Sequence, residues 1–198
     1  MKKIMFNDRY GLTQAVLYGR KTMTRRVISQ IHDFDEVGVW PAPYITIIRD
    51  GKQLPDIFPT YKVGEVVAVA QSGRDIYHEL QKRYGKTSDA ALGFMEMYQD
   101  LPMWTNKMFV PPTLCPNKIQ ITGIKVERLQ DISGKDYLKE GVKEYDYYDY
   151  GFWKQGVGFV HGYRTPREAF ARLIDKVSKK GTWNSNPWVF AYTFKLIQ

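Results

Sequence analysis

The apolar positions of this chain recur with two periods, and the places where the period changes mark its elements. Leu12, Ala15 and Val16 share a helical face, with Asn7 or Asp8 available as N-cap before them and Gly19 placed to end the helix. From Thr22 to Ile28 the pattern is that of a strand, with Thr22, Thr24 and Arg26 on one face and Met23, Arg25 and Val27 on the other. Residues 30–60 hold Gly, Pro and Asp turn signals around YITIIRD, which predicts a hairpin arm, and YKVGEVVAVA predicts a turn into a buried strand. Between Gly73 and Asp100 the helical period returns: Ile76, Leu80 and Tyr84 share a face, and Ser88 is placed to cap a second helix through Leu92 and Met95 to Met97.

KIQITGIKVERL reverts to strand, with Gly123 at a bulge. In DISGKDYLKEGV, Ser133 is an N-cap with Asp136 three residues on and Gly141 is the stop, which puts Glu140 at a helix C-terminus. TPREAFARLIDKVSKKG is the clearest helix: Thr165 caps it, Pro166 opens the first turn, Glu168 completes a capping box, Phe170, Leu173, Ile174 and Val177 face the core, and Gly181 ends it. NPWVFAYTFKLI is a last strand with apolar residues on both faces. Short, mostly buried strands with several helices predict an α+β, barrel-like domain, without the pattern of a parallel nucleotide-binding sheet.

Composition narrows the class. A chain of 198 residues, 43% hydrophobic and 15% aromatic, can bury a substantial core and is expected to fold as one domain, which excludes a disordered chain. Cys115 is the only cysteine, so there is no internal disulfide, and with His32, His78 and His161 it lacks the paired spacing of a zinc site. No metal or organic cofactor is expected. The apolar run in MKKIMFNDRY stops at Asn7, and no later run approaches the roughly 20 residues that cross a bilayer, so the expected localisation is cytoplasmic, without a membrane partner.

Charge then points to an anionic partner. The formal net charge is +8, and it is uneven: residues 1–30 carry seven Lys or Arg against Asp8 alone, whereas residues 131–150 carry six acids against three lysines. The excess centres on Gly19-Arg20-Lys21-Thr22-Met23-Thr24-Arg25-Arg26, four cations and no acid just where a helix stops. Such a cluster is either a solvated cap that complements the helix dipole or a site for an anion. Gly85-Lys86-Thr87 is not a phosphate loop, because the required glycine five positions before Gly85 is Leu80. A further segment, KEYDYYDYGFWKQGVGFVHGY, packs Tyr145, Tyr147, Tyr148, Tyr150, Phe152, Trp153, Phe159 and Tyr163 into a glycine-containing loop or hairpin. It reads either as a packed amphipathic hairpin or as rings that stack on nucleobases.

The run GRKTMTRR resembles the Gly-x-Lys-x-x-Glu/Thr-x-Arg signature of ASCH domains, which have a PUA-like β-barrel fold associated with RNA. YKVGEVVAV, VERLQDISGKDYLKEGV and GTWNSNPWVFAYTFKLI resemble further blocks of phage and bacterial members, in the same order. The chain departs from them at AVAQSGR (Ala68–Arg74), where members often carry Trp, Arg, Glu and an aromatic residue, and no site role is assigned to that strand. The resemblance implies a single PUA-like (ASCH) β-barrel domain over residues 1–198 with flanking helices, a helical insertion, and insertions at 30–60, 73–102 and 143–163 overall. By similarity to a member that hydrolyses N4-acetylcytidine, it implies Lys21 as proton acceptor, Thr24 as nucleophile and Glu140 as proton donor, with Gly19, Arg20, Arg25 and Arg26 binding substrate. Physical chemistry fits those roles: neighbouring cations lower a lysine's pKa, threonine needs an adjacent base, and a helix C-terminus favours a protonated carboxyl. Two function classes follow, hydrolysis of an acyl amide on a modified cytidine and non-catalytic binding of RNA or a nucleoside. A phage or host regulatory adaptor acting through protein contacts is a third. The sequence does not set the oligomeric state.

Overall fold

The computed structural model describes residues 1–197 apart from 33, 34 and 42, three positions inside the 30–60 segment. In chain order the elements are β1 (Lys3–Ile4), α1 (Leu12–Leu17), β2 (Met23–Val27), β3 (Glu36–Val39), β4 (Ile45–Arg49), β5 (Lys52–Gln53) and β6 (Val66–Val69). There follow α2 (Gly73–Tyr84), α3 (Asp89–Tyr98), β7 (Lys118–Arg128), α4 (Gly134–Lys139), β8 (Lys143–Asp146), β9 (Asp149–Lys154) and β10 (Gly158–Tyr163). The chain closes with α5 (Pro166–Val177), α6 (Thr182–Ser185) and β11 (Trp188–Ile197). The fold is mixed α+β, and among the described residues the strands form three sheets, ordered β1-β6-β7-β11-β2, β3-β4-β5 and β8-β9-β10. No helix among the described residues is long and apolar enough to cross a membrane.

Contacts divide the chain into two compact units, one of Met1–Phe6, Val66–Ile119 and the chain end from Leu196, the other of Asn7–Glu65 and Gln120–Lys195. In the first, β1 pairs in parallel with β6, and the helical period seen after Gly73 becomes two capped helices. Ser72 and Asp75 form a reciprocal capping box at α2, and the Ser88 hydroxyl accepts the Ala91 N–H at α3. Gly85-Lys86-Thr87 is the turn between them, with Gly85 at a φ of +100°. Ala68, Ile76, Met103, Val110 and Cys115 make the core of this unit, with Leu80 and Phe94 packed against it. Burial pushes the Cys115 thiol up, as befits a packing residue.

In the second unit α1 starts from Gly11 in the left-handed region, not from Asn7 or Asp8, which cap and open a short 3-10 turn (Asp8–Tyr10) before it. Gly19, at a φ of +70°, donates to the Val16 carbonyl, and the Arg20 and Lys21 N–H groups both donate to Ala15, so the helix end leads directly into the motif. β2 pairs antiparallel with β11, placing Thr24 opposite Tyr192, Arg25 opposite Ala191 and Arg26 opposite Phe190. β7 runs through Gly123, where an added Cβ would stand 2.6 Å from Thr193 Oγ1, so a close approach is what demands the glycine. At α5 the Thr165 hydroxyl accepts the Glu168 N–H, but the Glu168 carboxylate accepts from Arg164, one residue before the position a capping box requires. The helix ends at Val177, and Gly181 opens α6 instead of stopping α5. The segment after Glu140 forms the three antiparallel strands β8, β9 and β10.

Candidate functional site

The motif is stitched into the second unit by its backbone: Thr22 donates to the Lys139 carbonyl of α4 and accepts from Phe194 of β11. Lys21 is thereby drawn inward and is 2% exposed. Its Nζ donates to Glu140 Oε2 at 2.7 Å and to the Glu140 carbonyl oxygen at 2.8 Å. The other oxygen of Glu140 accepts from Arg25 Nη1 at 3.0 Å. Arg25 also reaches Glu127 Oε1, with Nη2 at 2.6 Å and Nε at 3.0 Å, and its Nη2 lies 3.9 Å from Asp136, which holds Lys139. Gly141 makes this closure sterically possible, because at a φ of +109° an added Cβ would stand 2.7 Å from Leu12 Cδ2 and 3.9 Å from Lys21 Cδ.

Burial is the main cause that lowers the Lys21 pKa; Glu140 works against it, and Arg26 and Arg25 add to the lowering. Burial would raise the Asp136 carboxyl, but Lys139 and the other groups bonded to it hold it below the usual value. The helix C-terminus at Glu140 presents partial negative charge, and Lys21 and Arg25 supply the compensating cations there. The acids that answer half of the motif's positive charge are therefore the chain's own.

The remaining motif residues lie elsewhere. Thr24 is buried on the opposite face of β2 from Arg25, beside Tyr192, whose hydroxyl accepts the Thr60 N–H at 3.0 Å. Among the described residues no hydrogen bond joins Thr24 to Lys21 or Glu140. Arg26 is exposed, and its charge opposes the burial that pushes the Tyr61 and Tyr192 phenols up. Gly19 and Arg20 are exposed at the end of α1. Among the described residues no hydrogen bond or ion pair engages the Arg20 guanidinium.

Arg20 lines a cavity of about 360 Å³ with Tyr10, Tyr18, Gly141, Lys143, Tyr145, Trp153 and Phe159 among its walls. Gly141 and Arg20 tie this cavity to the ionic cluster, since each is the chain neighbour of a cluster residue. Lys143 and Tyr145 alternate onto one face of β8, and Trp153 of β9 pairs directly with Phe159 of β10. The rings remain open: Tyr18 is 69% exposed and Tyr145 62%. Sequence reasoning did not single out Glu127 or Lys143, and it read Asp136 only beside the N-cap of α4. Only Lys143 had a readable signal, its i, i+2 spacing to Tyr145. Among the described residues no group of three or more His, Cys, Asp or Glu side chains is arranged to hold a metal ion.

No family model and no curated protein matches the chain. The crystal structure of protein EF3133 from Enterococcus faecalis V583, assigned to the family model DUF984, is similar over 100% of this chain and 80% of that one, at 13% identity and a TM-score of 0.39. A likeness at that level transfers neither fold nor function.

Proposed function

We propose that this protein is an ASCH-type RNA- or nucleoside-binding protein on a PUA-like scaffold, and that its ligand meets the exposed part of GRKTMTRR, not the buried part. The observation that supports this is the cavity in which Arg20, with no anionic partner among the described residues, stands among Tyr18, Tyr145, Trp153 and Phe159. Open ring faces stack on bases for about 1–3 kcal/mol each, and a guanidinium takes a phosphate or base edge. Lys21, Arg25, Glu127 and Glu140 satisfy one another and hold α4 against β2, which positions the cavity wall at Gly141. Titration of the protein with single-stranded RNA and with nucleosides at low salt tests the proposal. Binding of at least one, weakened by Arg20→Ala, is expected; binding of neither rejects it.

Lys21 favours a second reading, because a buried lysine with a lowered pKa suits a general base. In that reading Lys21 takes the proton of Thr24, the hydroxyl attacks the acyl carbonyl of an N4-acylated cytidine, Glu140 protonates the leaving amine, and a water then hydrolyses the acyl-threonine ester to release the carboxylic acid and regenerate Thr24. It requires Lys21 to exchange Glu140 for Thr24 across the strand. A screen of N4-acylated cytidines decides it. Turnover that is lost in Lys21→Arg, whose guanidinium does not deprotonate, supports hydrolysis, and inactivity on every compound rejects it.

A further inference from the structure

We propose that the cavity beside Arg20 takes a nucleoside monophosphate, with the base against the rings of β8, β9 and β10 and the phosphate on Arg20 and Lys143. This rests on the nucleoside-binding reading above and adds the charge and size of the ligand. Of the ten residues that line the cavity two are cationic and none is acidic. Among the described residues neither cation has a carboxylate partner, although Lys21 and Arg25 in the same unit are fully engaged with acids. Lys143 Nζ stands 5.9 Å from the Phe159 ring, within reach of the aromatic wall.

The wall itself is preformed. Tyr145 stacks on Phe159 at 5.4 Å and on His161 at 4.7 Å, and Phe159 and His161 are within 9° of parallel. His161 is fixed by Asp149 at 2.7 Å, and the second oxygen of Asp149 accepts the Gly162 N–H, so this carboxylate is turned to its own strand neighbour. Gly151 is required in the middle strand, since an added Cβ would stand 2.1 Å from the Val160 carbonyl oxygen. Glu144 alternates to the other face of β8, where it accepts the Tyr150 hydroxyl.

Two arguments select the monophosphate. Two cations in one cavity without an acid repel each other, and a phosphate monoester, at about −1.5 to −2 near pH 7, matches both, whereas a phosphodiester within a polymer carries a single charge. The volume of about 360 Å³ lies at the low end of the roughly 300–1,000 Å³ of ligand pockets and suits one nucleotide-sized molecule.

The test is calorimetric titration of the full chain with the four ribonucleoside 5′-monophosphates, the four nucleosides, inorganic phosphate and a short single-stranded RNA. At least one monophosphate is expected to bind about tenfold or more tighter than both its nucleoside and phosphate, with Lys143→Gln removing most of that advantage and Tyr145→Ala weakening the nucleotide but not phosphate. Nucleosides that bind as tightly as their monophosphates overturn this inference and leave the nucleoside-binding reading standing. RNA bound without any monophosphate overturns it in favour of a polymer ligand. No binding by any probe rejects both readings.

Discussion

Glu140 accepts hydrogen bonds from Lys21 and Arg25, so loss of its carboxylate takes away the acid bonded to the buried Lys21 and leaves Arg25 with Glu127 as its remaining hydrogen-bonded acid among the described residues. Breaking a buried ion pair from one side costs about 3–5 kcal/mol, and Glu140→Ala is expected to lower the unfolding free energy by that order in urea titrations. Glu140→Gln keeps the volume and one acceptor, and a smaller loss is expected. A drop in any activity of Glu140→Gln therefore counts as chemistry only beside an unchanged unfolding midpoint. How much of this was readable varies by residue. Strand alternation from Thr22 to Ile28 already separates Thr24 from Arg25, and the structure keeps that separation. That Arg25 turns inward to Glu127 was not readable, because the partners are 102 positions apart and nothing local marks Glu127.

At the scale of elements, two glycines give a controlled comparison. Gly141 and Gly156 both sit at positive φ, but an added Cβ meets Leu12 at 2.7 Å in the first and nothing within 4 Å in the second. Both alanine variants carry the backbone strain of about 1–2 kcal/mol, and Gly141→Ala adds an overpacking cost of about 1–3 kcal/mol, so its thermal midpoint is expected to fall further. In the β3-β4-β5 sheet, Arg49 first and then the His32 N–H hold the Asp35 carboxyl at about 2 against an ordinary 3.8, with partial burial opposing them. A carboxyl whose folded value is depressed contributes stability that is full above 3.8 and is lost as pH falls through about 2. Amide exchange in β3 and β4 is expected to accelerate across that window in the wild type and not in Asp35→Asn, with an NMR titration of Asp35 centred near 2. Caps and periods made α2, α3 and α5 legible because those signals are local. Gly19 ends α1 as expected, but the role of Gly181 was harder, since a glycine serves equally to stop a helix or to start the next.

For the whole molecule, the helical excursion after Gly73 was visible as a change of period, but its union with Met1–Phe6 into one unit was not. That union depends on the parallel pairing of Lys3 with Ala68 and Ile4 with Val69, a long-range register with no sequence mark. The net charge of +8 and its concentration at residues 19–26 are visible in the sequence, but burial decides how much of it faces a ligand. Lys21 and Arg25 spend their charge on Glu140 and Glu127, whereas Arg20 and Arg26 remain exposed. If single-stranded RNA binds, the slope of log affinity against log salt falls by about 0.7 for each phosphate contact removed. Arg20→Ala is expected to flatten that slope by about this amount while leaving the unfolding midpoint in place, and Arg26→Ala is expected to flatten it as well. Arg25→Ala is expected to do the reverse, lowering stability by removing the guanidinium from Glu127 and from one oxygen of Glu140 while leaving the slope unchanged. A slope that flattens in Arg25→Ala at unaltered stability would show that the guanidinium leaves its buried acids for RNA, and would reject the division of the motif into a structural half and a binding half.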